Sequence, residues 1–198
     1  MKMQGHTILV AGGVRGIGRG LAELLHRLGN EVLVFGGDPG AAEAVARANP
    51  GMRAVELDLS DPWSVADFAE RVAAVCPGLN MLVNISIAFP VKDLPGLGAL
   101  LDDDPHEALE AQHLGIQHLT GALLPHLRKR PHSAVMNLAV GPAFAPPPPA
   151  LADIAARPAT DGGVHACTLS VRTRRASTRV EVVDVALPSW AERTGREP

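Results

Sequence analysis

Residues 7–18, TILVAGGVRGIG, give the clearest indication of the fold of this 198-residue chain. The first five of them predict a buried strand, and the residues from Gly16 onward have the apolar spacing of a helix. Three of the four glycines in this stretch, Gly12, Gly16 and Gly18, lie where the strand passes into the helix. Glycine permits a tight turn and a close backbone approach, and a helix N-terminus presents free N–H groups to an anion. The stretch predicts a pyrophosphate-binding turn; the alternative is a loop that serves packing and binds no nucleotide.

The rest of the chain alternates short apolar runs with amphipathic stretches. We predict strands at 7–11, 31–35, 52–57, 80–84, 133–140 and 179–186, and helices at 16–28, 40–48, 61–75, 105–127 and 162–174. Strands this apolar, alternating with helices, indicate a parallel sheet covered on both faces. We therefore predict one α/β domain over residues 1–198, a Rossmann-like doubly wound parallel sheet of about six strands with helices on both faces. Ligands are then expected beyond the carboxyl ends of the strands.

Composition excludes several classes of function. A net charge of −3 gives no basic surface for nucleic acid. No apolar run approaches the roughly 20 residues of a membrane-spanning helix, and residues 1–5 lack a signal-peptide core. Cys76 and Cys167 form no CxxC pair, which favours a reducing, cytoplasmic location. The spacing of the histidines at 106, 113, 118 and 126 does not put three ligands on one helix face, so we predict no metal site.

From about Thr7 to Pro188 the chain resembles the short-chain dehydrogenase/reductase family. AGGVRGIG at 11–18 is similar to the family's TGxxxGxG, Asp58 matches its adenine-contacting acid, and Asn84 matches the first residue of its Asn-Asn-Ala-Gly. The resemblance implies that NAD or NADP is bound by the residues at these matching positions: Gly12, Arg15, Gly16, Ile17, Gly18, Asp58 and Asn84. Arg15 is a candidate for holding a 2′-phosphate, or else a solvated loop charge. The turn Gly36-Gly37-Asp38 gives no clear cofactor preference.

The chain contains no tyrosine, although the family transfers a proton with one. By spacing, the family's asparagine falls on His113, its serine on Val140, and its tyrosine and lysine on Arg157 and Asp161. Valine cannot donate a proton, and the loss of a general acid costs about 10²–10⁴ in rate. The resemblance therefore implies an atypical member that lacks the Asn-Ser-Tyr-Lys set.

Other ionisable residues fall near the same positions. Asp161 and His165 are four residues apart, so a helix that contains both presents them on one face. A carboxylate in that place orients an imidazole as a general base; the alternative is that Asp161 only caps the helix. His113 and Arg157 complete the candidate catalytic set, Arg157 as a stabiliser of an enolate or carboxylate.

These replacements favour a non-redox biosynthetic enzyme of the lyase, isomerase or cyclase type. It would act on a small-molecule substrate through an enolate, by aldol-type cyclisation, dehydration or isomerisation. Such an enzyme requires no cofactor, or binds NADP or NAD without redox turnover. One alternative is a non-catalytic pseudoenzyme that binds a nucleotide or metabolite. A second alternative is an NAD(P)H-dependent oxidoreductase with an unconventional proton donor such as His113.

Two segments complete the sequence-based expectations. The proline-rich stretch at about 141–160 predicts a loop or flap rather than a helix or strand. The helices at 105–127 and 162–174 resemble the pair through which family members dimerise, which implies a homodimer. Family members usually continue past the sixth strand, so the resemblance also implies a C-terminally shortened domain.

Overall fold

The structure, a computed structural model, describes residues 2–86, 105–140 and 180–187. Its strands are β1 Thr7–Ala11, β2 Glu31–Phe35, β3 Arg53–Ala54, β4 Leu79–Ser86, β5 Ala134–Val140 and β6 Glu181–Leu187. Its helices are α1 Gly16–Arg27, α2 Pro39–Ala48, α3 Pro62–Val75 and α4 Pro105–Leu127. The predicted loop at 141–160 and the predicted helix at 162–174 lie outside the described residues.

The six strands form one parallel sheet in the order β3-β2-β1-β4-β5-β6. The chain first moves outward from β1 to β3 and then returns to build β4, β5 and β6 on the other side of β1. This order confirms the doubly wound, Rossmann-like fold. The direction of winding reverses between β1 and β4, and the crevice at their carboxyl ends is where such folds bind ligands.

Helices cover the sheet on two faces because successive strand residues point to opposite sides. Ile8 of β1 belongs to an apolar cluster with Leu25 of α1, whereas its neighbour Leu9 belongs to a cluster with Phe68 of α3. Both β1 residues are fully buried. This two-sided burial explains why the strands are continuous apolar runs. No helix in the described part of the chain is long and apolar enough to cross a membrane.

Two helices begin at an aspartate followed by proline. The Asp61 carboxylate accepts hydrogen bonds from the backbone N–H groups of Trp63 and Ser64, at 3.0 and 3.2 Å, and Pro62 begins α3. Asp38 does the same for α2 by accepting from Ala41 at 3.1 Å. These caps satisfy N–H groups that a helix leaves unpaired.

The third strand is shorter than predicted. Residues 52–57 were expected to pair, but β3 contains only Arg53 and Ala54, opposite Leu33 and Val34 of β2. The Val55 N–H donates to the Val34 carbonyl at 3.0 Å, and β2 ends one residue later. The residues after Val55 therefore have no continuing strand to pair with, and they line a cleft instead.

Candidate nucleotide-binding site

A cleft of about 980 Å³ opens beyond the carboxyl ends of β1 and β2. Its volume lies at the upper end of the usual range for small-molecule sites, roughly 300–1,000 Å³. The walls come from the glycine-rich turn, the turn after β2 and the segment after β3. The lining residues are Gly12, residues 14–18, residues 35–37, Pro39, residues 55–60, Ser64, Arg71 and Ile85.

The glycine-rich turn is packed too closely for side chains at two positions. Gly12 has φ +81°, and a Cβ there would lie 3.1 Å from the Ile85 carbonyl oxygen. A Cβ on Gly18 would lie only 2.0 Å from the Gly12 carbonyl oxygen. The Gly12 N–H donates to the Phe35 carbonyl at 3.0 Å, which fixes the turn against β2. These contacts explain why glycine is required at 12 and 18.

The N-terminus of α1 presents its backbone to this cleft. Gly16, Ile17 and Gly18 form its first turn and line the cleft. The first turn contains no acidic residue, and the side chain of Arg15 at the N-cap makes no capping hydrogen bond. The first N–H groups of a helix have no partner within it, and they carry the positive end of the helix dipole. The turn therefore has the geometry and charge of an anion site.

Arg15 and Asp38 form an ion pair at the rim of the cleft. Arg15 Nη2 donates to Asp38 Oδ2 at 2.7 Å, and the two side chains are 74% and 48% exposed. The hydrogen bonds from the Ala41 backbone and from Arg15 hold the pKa of Asp38 below its usual range. Asp38 is thus an ionised partner for Arg15 at neutral pH.

Asp58 lies on the opposite wall, after β3. Its Oδ1 accepts from the Ser60 hydroxyl at 2.6 Å and from the Ser60 backbone N–H at 2.9 Å. The hydroxyl, and then the backbone N–H, hold the pKa of Asp58 below its usual range. An ionised acceptor therefore lies at this edge of the cleft.

Asn84 does not lie on the cleft wall. It is 1% exposed, and its side-chain amide donates to Thr120 Oγ1 at 3.1 Å and to Asn137 Oδ1 at 2.8 Å. Asn84 Oδ1 has no hydrogen-bond partner among the described residues. Asn84 therefore joins β4 to β5 and α4, and its neighbour Ile85 lines the cleft instead.

The structure thus brings together most of the nucleotide-binding residues predicted from the sequence: Gly12, Arg15, Gly16, Ile17, Gly18 and Asp58. Of the catalytic candidates, His113 lies on α4, but only its backbone is described. Arg157, Asp161 and His165 lie outside the described residues. Among residues 2–86, 105–140 and 180–187, no three His, Cys, Asp or Glu side chains are grouped as a metal site.

Sequence reasoning missed the role of Asp38. It was interpreted as giving no cofactor preference, yet it pairs with Arg15 across the cleft rim. Two signals pointed to it: its place before Pro39, which is typical of a helix cap, and its spacing of about 20 residues from the glycine motif.

Comparison with known proteins places these features in a family. The short chain dehydrogenase family model matches residues 6–194. The uncharacterized oxidoreductase DltE of Bacillus subtilis is 31% identical over 189 residues, which are 95% of this chain and 73% of DltE. The 3-oxoacyl-[acyl-carrier-protein] reductase FabG of Aquifex aeolicus is 38% identical over 89 residues, 42% of this chain and 36% of that protein.

A solved structure shares the fold. The crystal structure of 3-ketoacyl-(acyl-carrier-protein) reductase from Brucella melitensis, complexed with NADH, is similar with a TM-score of 0.79 and 22% identity. The similarity covers 95% of this chain and 77% of that one. This likeness concerns the fold, including the sheet whose carboxyl edge forms the cleft.

The chain belongs to the short-chain dehydrogenase family. This membership confirms the resemblance stated from the sequence. The expectation of a non-redox lyase, isomerase or cyclase was wrong, because the matched relatives are named oxidoreductases and reductases. The absence of tyrosine and the changed residues at the other three catalytic positions led to that error, because they were interpreted as the loss of the family's reaction.

Proposed function

We propose that this protein is an NAD(P)H-dependent oxidoreductase that interconverts a carbonyl group and an alcohol on a small-molecule substrate. The observation that supports this most directly is the cleft, in which a sterically constrained glycine turn meets the N-terminus of α1. The names of the relatives support the same reaction class.

The dinucleotide fits the residues that line the cleft. Gly12 and the first turn of α1 would hold the pyrophosphate, because a bare backbone is what lets phosphate oxygens reach the N–H groups. Asp58 would accept from the adenine, and Arg15 lies at the rim on the other wall. When bound, the dinucleotide supplies or accepts the hydride. Asn84 would not touch the dinucleotide but would stabilise the carboxyl end of β4, because its hydrogen bonds join β4 to β5 and α4.

The proton needs a donor other than tyrosine, and His113 is our candidate. Its position on α4 is one helical turn before Ile116, which is 3% exposed. Imidazole is the side chain that most readily exchanges a proton near neutral pH. Asp161 with His165 and Arg157 form the second candidate set, as predicted from the sequence.

Hydride-transfer assays with matched variants test the proposal. NADH and NADPH oxidation would be followed against aldehydes, ketones and 3-oxoacyl thioesters. The last class is included because it is the substrate class in the name of the Aquifex relative. His113→Ala is expected to lose about 10²–10⁴ in kcat, whereas His118→Ala, at an exposed position of the same helix, keeps the rate.

Two outcomes would contradict parts of this proposal. Full activity in His113→Ala would exclude His113 as the proton donor. Saturable dinucleotide binding without turnover of any substrate in the panel would indicate a protein that binds nucleotide but does not catalyse.

The assembly and location are proposals as well. We propose a homodimer formed through α4 and the predicted helix at 162–174, in the cytoplasm and without a nucleic-acid or membrane partner. Leu114 on α4 is 52% exposed, and a Cβ on Gly121 would meet no described heavy atom within 4 Å. An apolar side chain and open space on the same helix are suited to close packing by a second copy.

A further inference from the structure

The outer wall of the cleft, residues 55–60, lies beyond the end of β3 and outside the sheet. Its residues 56–60 pair with no strand in the part of the chain that the structure describes. Leu57 and Leu59 are half-buried against the apolar cluster that includes α3 and α4, whereas Asp58 between them is exposed. The outer wall is therefore held in place by packing rather than by a hydrogen-bonded ladder.

Helix α4 touches the outer wall at a glycine. A Cβ on Gly115 would lie 2.3 Å from the carbonyl oxygen of Leu59 and 2.6 Å from its Cβ. Real Cβ atoms essentially never come within 3.0 Å of such atoms, so the two backbones meet with no room for a side chain. Further along the same helix, a Cβ on Gly121 would meet no described heavy atom within 4 Å. The steric need for glycine thus distinguishes position 115 from position 121.

We propose that Gly115 is a positioning residue for the adenosine half of the dinucleotide. Its bare backbone lets α4 hold Leu59 where the neighbouring Asp58 reaches the amino group of the adenine. The inference rests on the proposed function, because it assumes a dinucleotide in this cleft. The hydrogen bonds from Ser60 orient the Asp58 carboxylate only within the outer wall, since Ser60 belongs to it as well. The distance from Asp58 to a ligand therefore depends on what the outer wall packs against.

A single added methyl group would change that distance. Gly115→Ala forces α4 and the outer wall apart by about 0.7 Å, from 2.3 Å to the shortest ordinary contact of 3.0 Å. A hydrogen bond of about 2.9 Å that lengthens by this amount is no longer one. The contact between Asp58 and the adenine amino group is then lost, while the N-terminus of α1 still holds the phosphates.

The test compares each dinucleotide with its deamino analogue, in which hypoxanthine replaces adenine. Hypoxanthine has a carbonyl oxygen in place of the adenine amino group, so it cannot donate a hydrogen bond to Asp58 from that position. In titrations of the full chain, the wild-type protein is expected to bind NADH or NADPH about tenfold more tightly than the matching analogue, as for one hydrogen bond to a charged group. Gly115→Ala is expected to bring the ratio of the two Kd values within about twofold of one.

The ratio separates positioning from a general loss of stability. A variant that is only less stable binds both forms more weakly by the same factor, so its ratio stays at the wild-type value. Gly121→Ala makes the same substitution on the same helix and is expected to keep that ratio. Asp58→Ala removes the acceptor and is expected to give the same ratio as Gly115→Ala.

A second variant reaches the same contact from the outer wall. Leu59→Gly removes the side chain that packs against the apolar cluster and adds no atom, so it serves if Gly115→Ala does not fold. Because the outer wall then loses its support, the ratio is again expected to fall to within about twofold of one. A direct apolar contact of Leu59 with the base would instead weaken both forms equally.

The failures of the two proposals are distinguishable. If Gly115→Ala folds and keeps the wild-type ratio, the inference is wrong and the proposed function stands; if it does not fold, Leu59→Gly decides in the same way. Equal affinity of the wild-type protein for a dinucleotide and its deamino analogue would also overturn the inference alone. If neither NADH nor NADPH binds, the proposed function fails and this inference fails with it.

Discussion

Strands β1 and β4 lie at the centre of the sheet. The residues that match family motifs have different roles on the two sides of this pair. On the β1–β2 side, the glycine motif lines an open cleft, and its requirement is steric: Gly18 has space for no side chain. On the β4–β5 side, Asn84 matches the first residue of a family motif but is buried and hydrogen-bonded to Thr120 and Asn137. A motif match thus shows where a residue lies in the fold, whereas its contacts decide between binding a ligand and supporting the structure.

The largest expected effect separates two glycines on α1. Gly18→Ala places a Cβ 2.0 Å from the Gly12 carbonyl oxygen, whereas a Cβ on Gly20 meets no described heavy atom within 4 Å. We expect Gly18→Ala to abolish NADH binding and to lower the free energy of unfolding by about 3 kcal/mol. Gly20→Ala should raise it by roughly 0.5–1 kcal/mol, because alanine is the better helix former. Denaturant unfolding measures the free energy of unfolding of both variants, and nucleotide titration measures their affinity for NADH. Equal stability and equal affinity of the two variants would contradict this expectation.

The substitution Asn84→Ala tests the β4–β5 side of the sheet. It removes the two buried hydrogen bonds that the Asn84 amide donates to Asn137 Oδ1 and Thr120 Oγ1, so we expect the free energy of unfolding to fall by about 1–3 kcal/mol. The loss of NADH affinity should be smaller than in Gly18→Ala, because Asn84 is absent from the cleft wall. A large loss of affinity with unchanged stability would instead show direct contact with the nucleotide.

A third comparison concerns two exposed leucines. Leu114 on α4 and Leu24 on α1 are 52% and 46% exposed, and only α4 belongs to the proposed dimer surface. Leu114→Glu is expected to yield a monomer in light scattering at micromolar concentration, because a charge would be buried in the interface. Leu24→Glu should remain a dimer. A wild-type monomer, or dissociation only in Leu24→Glu, would refute the proposed surface.

The smallest effect is a pH dependence at the end of α4. Burial lowers the pKa of His126, whose Nε2 lies 3.0 Å from the Leu79 carbonyl oxygen and donates to it. The unfolded chain therefore binds a proton more readily than the folded one, and stability falls as pH drops through about 6.5. His126→Gln keeps an N–H donor but cannot be protonated in this range. Its free energy of unfolding should therefore fall less than that of the wild-type protein between pH 7 and pH 5. Identical profiles for the two proteins would contradict the assignment.

Local signals in the sequence predicted much of the fold. The bounds of β1 and β2 were as predicted, and Asp61 with Pro62 began α3 because capping depends on neighbouring residues. The doubly wound parallel sheet was predicted from the alternation of apolar strands with helices. The length of β3 was wrong, because it depends on where β2 ends.

The site was less predictable because its decisive contacts are tertiary. The glycine turn was found from spacing, but the pairing of Arg15 with Asp38 joins residues 23 apart and leaves no periodic signal. The burial of Asn84 depends on partners in β5 and α4. The missing tyrosine showed which donor is absent, but one sequence does not reveal what reaction remains.

Hydride transfer is observed directly with NADH and NADPH, each carrying deuterium at the transferable C4 position and mixed with the full chain and a panel of carbonyl compounds. The wild-type protein is expected to form an alcohol with deuterium on the former carbonyl carbon, and Gly18→Ala is expected to form none. Saturable binding of either dinucleotide with no deuterium in any product, or no binding of either one below about 1 mM, the upper end of ordinary KM values, would contradict it.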